Sequence, residues 1–277
     1  MELEVAGRKA YAYTGGKPFD ASRPTVVFVH GGQHDHSVWI LQSRYLAHHG
    51  FSVLAVDLPG HGRSAGPALS SVEAMAGWVL AVLDAAGAPR AAIVGHSMGS
   101  LIALEAAGQT PERVTRIALL GAAFPMRVSD ALLSAARDDE PRALDMINQW
   151  SHSGVSHRPG NPGPGFSVFV ENLRLMQRQP PGVLHNDFNA CNVYTAGTRR
   201  AAALACPALF VLGERDVMTP PKAARTLIDA IAQHEVVVVP RCGHSMMAER
   251  PDAVLAALKT FLAPLREAAT SGGAAVA

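Results

Sequence analysis

The stretch AAIVGHSMGSLIALEAA, residues 91–107, decides how this chain is read. Arg90 to Val94 is a short apolar run of the kind that forms a buried strand, and Ser97 to Ala107 is a run of small and apolar residues that predicts a helix. Between them lies Gly95-His96-Ser97-Met98-Gly99, a G-x-S-x-G pattern at a strand-to-helix turn. A residue at the apex of so sharp a turn is held in a strained conformation. Glycines two positions before and after it let neighbouring backbone approach where a Cβ would clash. The Ser97 hydroxyl then projects above the sheet, beside the positive end of the following helix, which favours negative charge developing there.

Outward from this turn the same alternation recurs. Thr25 to Val29 (TVVFV) and Phe51 to Val56 read as strands buried on both faces, with a helix from Ser37 to His49 between them and Gly50 as its stop. A helix is predicted over Val72 to Ala86, ending at Gly87, and a strand over Val114 to Leu120. Glu2 to Ala6 and Lys9 to Tyr13 read as a hairpin around Gly7-Arg8. Alternating apolar strands and helices imply an α/β fold, a mostly parallel central sheet with helices on both faces. The alternation breaks between residues 124 and 200, where Ser129 to Trp150 and Ser167 to Gln179 read as helices around a Pro/Gly-rich loop from Ser151 to Gly165. This segment is expected to be an inserted helical cap, 124–200, on a core made of 1–123 and 201–277. The core then resumes with strands Ala208 to Leu212 and Glu235 to Val239 and helices Lys222 to Ala232 and Pro251 to Leu262, followed by a frayed tail, SGGAAVA.

Composition narrows the class. Of 277 residues, 48% are apolar and 17% charged, so a substantial core can form, and a formal net charge of +1 with no basic block gives no footprint for nucleic acid. Cys191, Cys206 and Cys242 are widely spaced and form no C-x-x-C pair, which implies neither a disulfide framework nor a zinc ribbon. The first residues, MELEVAGRKA, lack the basic start and apolar run of a signal peptide, and no stretch reaches the roughly 20 apolar residues that span a bilayer. A soluble cytoplasmic protein without membrane or nucleic-acid partners is expected.

A serine needs a base, and the base needs an orienting acid. Of 12 histidines, His244 in RCGHS (241–245) follows the last strand, so it sits on the sheet edge that Ser97 occupies. His152, His157, His185 and His234 lack that placement. Asp216 in GERD (213–216) follows the preceding strand, with Glu214 as its nearest rival, while the loop after the Val114 strand (GAAF, 121–124) offers no carboxylate. The order Ser97, Asp216, His244 is one this chemistry uses.

VVFVHGG (26–32), DLPGHGRS (57–64), VGHSMGS (94–100), LFVLGERD (209–216) and CGHS (242–245) together give the chain, over nearly its whole length, a resemblance to the α/β-hydrolase superfamily, in its serine esterase and lactonase branch. The resemblance implies an oxyanion hole made by the backbone N–H of Met98 and one from the loop after the first core strand, at Gly32 or at Gln33. It also implies a structural role for Asp57, Gly60, His61 and Ser64; His30 is expected to hold its loop by hydrogen bonds, His34 and His36 to face either the pocket or solvent, and His96 to line the site or pack in the core. Serine at position 97, rather than aspartate, points to acyl transfer through an acyl-enzyme, on a small-to-medium carboxylic ester or lactone. Carbon–carbon bond hydrolysis, perhydrolysis, or ligand sensing with a slow triad are the alternatives. No metal or cofactor is called for, because metal-ligand clusters and dinucleotide motifs are absent from the sequence. Gln33, His34, Phe124, Met126, Trp150 and Phe169 are the candidate substrate-contacting residues.

Overall fold

The computed structural model describes residues 1–154 and 167–273. In chain order its elements are β1 Glu2–Val5, β2 Arg8–Tyr13, β3 Thr25–Val29, α1 Ile40–His48, β4 Ser52–Asp57, α2 Val72–Ala85, β5 Ala91–His96, α3 Met98–Gln109 and β6 Val114–Leu120. A run of helices follows: α4 Asp130–Asp138, α5 Glu140–Ser151, α6 Val168–Gln177, α7 Val183–Val193 and α8 Gly197–Ala202. β7 Ala208–Gly213, α9 Arg225–Ala230, β8 His234–Val239, α10 Met246–Glu249 and α11 Pro251–Gly273 complete the described chain.

The eight strands form one sheet in the order β1-β2-β4-β3-β5-β6-β7-β8, antiparallel at β1, β2 and β4 and parallel from β4 through β8. The parallel strands are apolar along both faces because helices cover both: β3, β4, β5 and β7 are buried at every residue. Met75, Val79, Leu101 and Leu104 pack on one face; Trp39, Leu46, Leu258 and Phe261 pack on the other.

The topology places the site. From β3 the chain steps outward to β4, then crosses back to lay β5 on the other flank of β3. The strand order reverses there, and the loops leaving β3 and β5 splay apart above a crevice. Val29 pairs with Gly95, so the loop at 30–33 and the turn at Ser97 leave the sheet side by side.

Several helices differ from the sequence reading, among them the one predicted from Lys222 to Ala232, which opens as a 3-10 turn, Pro221–Ala224, ahead of α9. The helix predicted from Ser129 to Trp150 is two, because the Asp139 side chain accepts from the Arg142 N–H and Pro141, lacking an N–H, can only stand in a first turn. The helix predicted from Ser37 opens instead as a 3-10 turn, His36–Trp39, capped by Asp35. The last helix runs on past Leu262 to Gly273, through Pro264. Helices α7 and α8 had no counterpart in that reading. Buried Val183, Leu184, Asp187, Ala190 and Cys191 recur at helical spacing in α7, but an aspartate within the stripe hid the pattern. The Pro/Gly-rich loop lies, from residue 155 on, outside the described residues. Among the described residues no helix is long and apolar enough to cross a membrane.

Candidate active site

Ser97 stands between β5 and α3 with φ 53° and ψ −117°, a conformation that L-residues seldom adopt. What holds it there is close backbone packing. A Cβ on Gly95 would collide with the carbonyl of Gly99, and one on Gly99 with the carbonyl of Val29, so α3 can approach the sheet only with glycine at both positions. Ser97 N–H donates to the Leu120 carbonyl (2.9 Å), and Ser100, one turn into the helix, donates its N–H (2.8 Å) and hydroxyl (2.6 Å) to the Ser97 carbonyl. Among the described residues the Ser97 hydroxyl has no hydrogen-bond partner, and Ser97 lines a cavity of about 160 Å³ with Gly32, Met98, Met126, Cys191 and Thr219.

His244 lies on the loop after β8, buried, with Nδ1 2.8 Å from Asp216 Oδ2. Asp216 follows β7 and is buried too. Thr219 completes this carboxylate's shell. Its N–H donates to Oδ1 (2.8 Å), its hydroxyl donates to Oδ2 (2.8 Å), and its Oγ1 lies 3.1 Å from His244 Nδ1. With acceptors facing Nδ1, the proton of a neutral imidazole resides there and Nε2 is left as the basic nitrogen. Thr219 was not singled out from the sequence. Its signal is Asp216-Val217-Met218-Thr219 ahead of Pro220, a side chain bonding backbone three residues on. Glu214, the rival acid, instead accepts from the Arg241 N–H (2.7 Å).

His96 bridges the two loops. Its Nε2–H donates to the His244 carbonyl (2.9 Å), and its ring centroid is 4.5 Å from that of His244. Burial, then the nearby His244, push its pKa well below the usual histidine value, so it stays neutral.

The loop after β3 presents Gly32 to the same cavity as Ser97 and Met98. The Gln33 amide is already engaged, donating to Asp187 Oδ2 (2.9 Å), whereas the Gly32 and Met98 amides have no acceptor among the described residues. Of the two oxyanion candidates in this loop, only Gly32 keeps a free donor. His30 braces the loop: Nδ1–H donates to the Gly31 carbonyl (2.8 Å) and Nε2 accepts from Leu58 N–H (3.1 Å). Burial, then neighbouring His61, depress its pKa to about 4. An unfolded histidine takes its proton near 6.5, so between these values the unfolded chain binds more protons and stability falls as the pH falls. His30 alone is expected to contribute about 3 kcal/mol to this loss, and neutral His96 acts in the same sense. Melting curves between pH 7 and 4.5 check it: the expected result is a falling melting temperature, and a flat one contradicts the neutral assignment.

His61, in the DLPGHGRS turn, behaves oppositely. Nε2 lies 2.8 Å from Asp187 Oδ2 and Nδ1 lies 3.1 Å from the Pro59 carbonyl, so both nitrogens face acceptors. Burial opposes its charge, but the adjacent Asp187 outweighs that and raises its pKa. The turn itself is structural: Asp57 accepts from the N–H groups of His36 (2.7 Å) and Arg63 (2.8 Å), and the Ser64 hydroxyl donates to the Asp57 carbonyl (2.6 Å). Among the described residues one cluster, Asp35-His36-Asp57, brings three possible metal ligands within 4.8 Å of one another. Asp57 is committed to His36 and Arg63, and Asp35 to Ser37, Arg178 and Gln179, which leaves little ligating capacity.

The substrate-contact candidates divide. Met126 and Trp150 line the Ser97 cavity. His34 instead faces a separate groove of about 620 Å³ that reaches His96 and Ser245 but not Ser97, and its Nε2 bonds Asn172 (3.0 Å). Gln33 is a scaffold residue, its Nε2 donating to the Met176 carbonyl (3.1 Å). Phe124 packs edge-on to Tyr194, with Gly197 pressed against its ring, and Phe169 packs against His152; neither lines the Ser97 cavity. Burying these large rings between elements stabilises more than leaving them in a wet cleft, which composition alone did not separate.

The sequence model of the α/β-hydrolase fold family matches residues 24–251, from the first buried strand to the start of the last helix. The chain belongs to the α/β-hydrolase fold family. Within this family it is 29% identical, over 80% of its own length and 85% of the relative's, to RutD of Klebsiella pneumoniae, a protein provisionally named a carbamate hydrolase. It is 26% identical to the pimeloyl-[acyl-carrier protein] methyl ester esterase of Nitrosomonas europaea, over 83% of this chain and 92% of that one. Among solved structures, an N-acyl homoserine lactone degrading enzyme superposes with a TM-score of 0.80 at 26% identity, covering 94% of this chain and all (100%) of the other.

Proposed function

We propose that this protein is a serine hydrolase that cleaves small-to-medium carboxylic esters or lactones through an acyl-enzyme. Ser97 is the nucleophile, His244 the general base, Asp216 the acid that orients it, and the Gly32 and Met98 amides the oxyanion donors. The observation that carries this reading is the strained Ser97 backbone beside a cavity that Gly32 and Met98, whose amides have no acceptor among the described residues, also line. Strain of this kind persists where the surroundings enforce it, and it exposes the hydroxyl for attack. His244 Nε2 takes the Ser97 proton as Oγ adds to the carbonyl carbon. The resulting O⁻ is met by two fixed donors, the imidazolium returns the proton to the departing alcohol, and water repeats the sequence to release the acid.

The helices between β6 and β7 act as a cap that shapes the acyl site, with Met126 from the approach to α4, Trp150 from α5 and Cys191 from α7 closing over Ser97. A cavity of about 160 Å³ is small for a ligand site, which favours a short acyl group. The names of the methyl ester esterase and the lactone-degrading relative support the same bond class.

A fluorophosphonate probe followed by peptide mapping, with a panel of p-nitrophenyl esters and lactones on the same preparation, tests the proposal. Label on the Ser97 peptide is expected, with acetate and butyrate esters turned over faster than long-chain ones. An unlabelled Ser97, or a diketone cleaved faster than every ester, overturns it.

A further inference from the structure

The loop that carries Gly32 does not hold its shape alone. Gln33 has φ 59°, a left-handed conformation that is uncommon for a residue with a side chain. Both groups that fix it there are donors to the cap helices: its N–H bonds Asp187 Oδ2 of α7 (2.9 Å), and its Nε2 bonds the Met176 carbonyl of α6 (3.1 Å). α7 also packs directly on Gly32, where an added methyl would come 3.3 Å from the Asp187 Cβ and 3.3 Å from the Phe188 ring. The residue before Asp187 pins this helix further, Asn186 Nδ2 donating to the Leu69 carbonyl (2.8 Å).

A buried carboxylate beside an oxyanion site presents a difficulty, because its charge opposes the one that develops on the substrate. His61 resolves it. One imidazole nitrogen faces Asp187 Oδ2 (2.8 Å) and the other faces the Pro59 carbonyl (3.1 Å), an arrangement that only the imidazolium satisfies fully. Both residues are wholly buried, and with His61 as the imidazolium the pair is neutral as a unit. Asp187 therefore supplies a strong, charge-assisted acceptor to the loop with little adverse field at Ser97.

We infer that Asp187, charge-balanced by His61, is a positioning residue: from the cap it holds the strained Gln33 peptide and so aims the adjoining Gly32 amide at the oxyanion. This assignment rests on the oxyanion site proposed above. It makes the catalytic loop dependent on the seating of the cap, since the acceptors that shape the loop belong to α6 and α7.

Full-length Asp187→Ala and Asp187→Asn variants, assayed with p-nitrophenyl butyrate and inhibited with a trifluoromethyl ketone that binds as an oxyanion hemiketal, test it. The alanine variant is expected to lose about 10–100-fold in kcat with KM changed less than about threefold, and its inhibition constant for the ketone should rise in proportion. Asparagine keeps one acceptor oxygen, so a smaller loss, about threefold to tenfold, is expected. That near-isosteric variant decides the matter if the alanine variant unfolds. Raised KM at unchanged kcat, or unchanged affinity for the ketone, would show that Asp187 only anchors the cap and would overturn the inference. Ser97→Ala assayed alongside separates two failures. If it remains active, the proposed function is wrong; if it is dead while both Asp187 variants turn over normally, only the positioning role is.

Discussion

Ser97→Ala is expected to bring ester turnover to the uncatalysed background, a loss of about 10⁶-fold if this triad acts as a unit as others do, while leaving the fold and its melting temperature unchanged. Both halves follow from the surroundings of one side chain. Chemically, the thiol that shares its cavity cannot substitute for it. Cys191, which shares the cavity, is buried, and desolvation raises its thiol pKa far above the ordinary value, so it offers no thiolate. Structurally, the hydroxyl makes no hydrogen bond among the described residues, so its removal orphans no partner. The unusual backbone angles are imposed by the contacts of Gly95 and Gly99, and alanine meets the same steric demand as serine there. Steady-state kinetics with p-nitrophenyl acetate, fluorophosphonate labelling and a thermal melt on one preparation measure all three quantities. Turnover above a tenth of wild type would exclude Ser97 as the nucleophile.

The contrast between what was legible in the sequence and what was not has a physical basis. β3 and β7 declare themselves because strands buried on both faces are almost continuously apolar, and the glycines at 95 and 99 do so because backbone packing tolerates nothing larger. Loops leaving the ends of such strands inherit a known edge, which is what made Ser97, Asp216 and His244 the candidates from sequence; of the three, the structure pairs His244 with Asp216. Thr219 and Asp187 escaped because their roles depend on partners far away or on a turn geometry that no period reveals. Asp187 lies 154 positions from the Gln33 amide it accepts from and 126 from His61. The apolar cap candidates misled for a related reason. Phe124 and Phe169 are large enough to line a pocket, yet whether an aromatic ring faces a cavity or a neighbouring helix is set by how separate helices meet, and the sequence within each helix does not encode that alone.

Asp216→Asn is expected to lower kcat by about 10⁴-fold with little change in KM, and the shell around the carboxylate explains why so small an edit has so large an effect. Asp216 Oδ1 accepts from the Thr219 N–H, while Oδ2 accepts from the Thr219 hydroxyl and faces His244 Nδ1. Asparagine has one oxygen and one NH₂ to distribute. The Thr219 N–H is a fixed donor and demands the oxygen, so the NH₂ falls at the Oδ2 position, facing His244. There it donates to Nδ1 and selects the tautomer with its proton on Nε2, the nitrogen that has to accept from Ser97. The Thr219 hydroxyl can rotate to accept instead of donate, so the wrong arrangement is fully satisfied and stable. The variant should therefore melt like wild type and still bind substrate, yet lack a base. Glu214→Gln is the control: Glu214 bonds the Arg241 N–H, a contact that a glutamine oxygen reproduces, so its rate should stay within about threefold of wild type. Should Asp216→Asn retain more than a tenth of the wild-type kcat, the orienting acid lies elsewhere; should Glu214→Gln be the damaging change, it is Glu214.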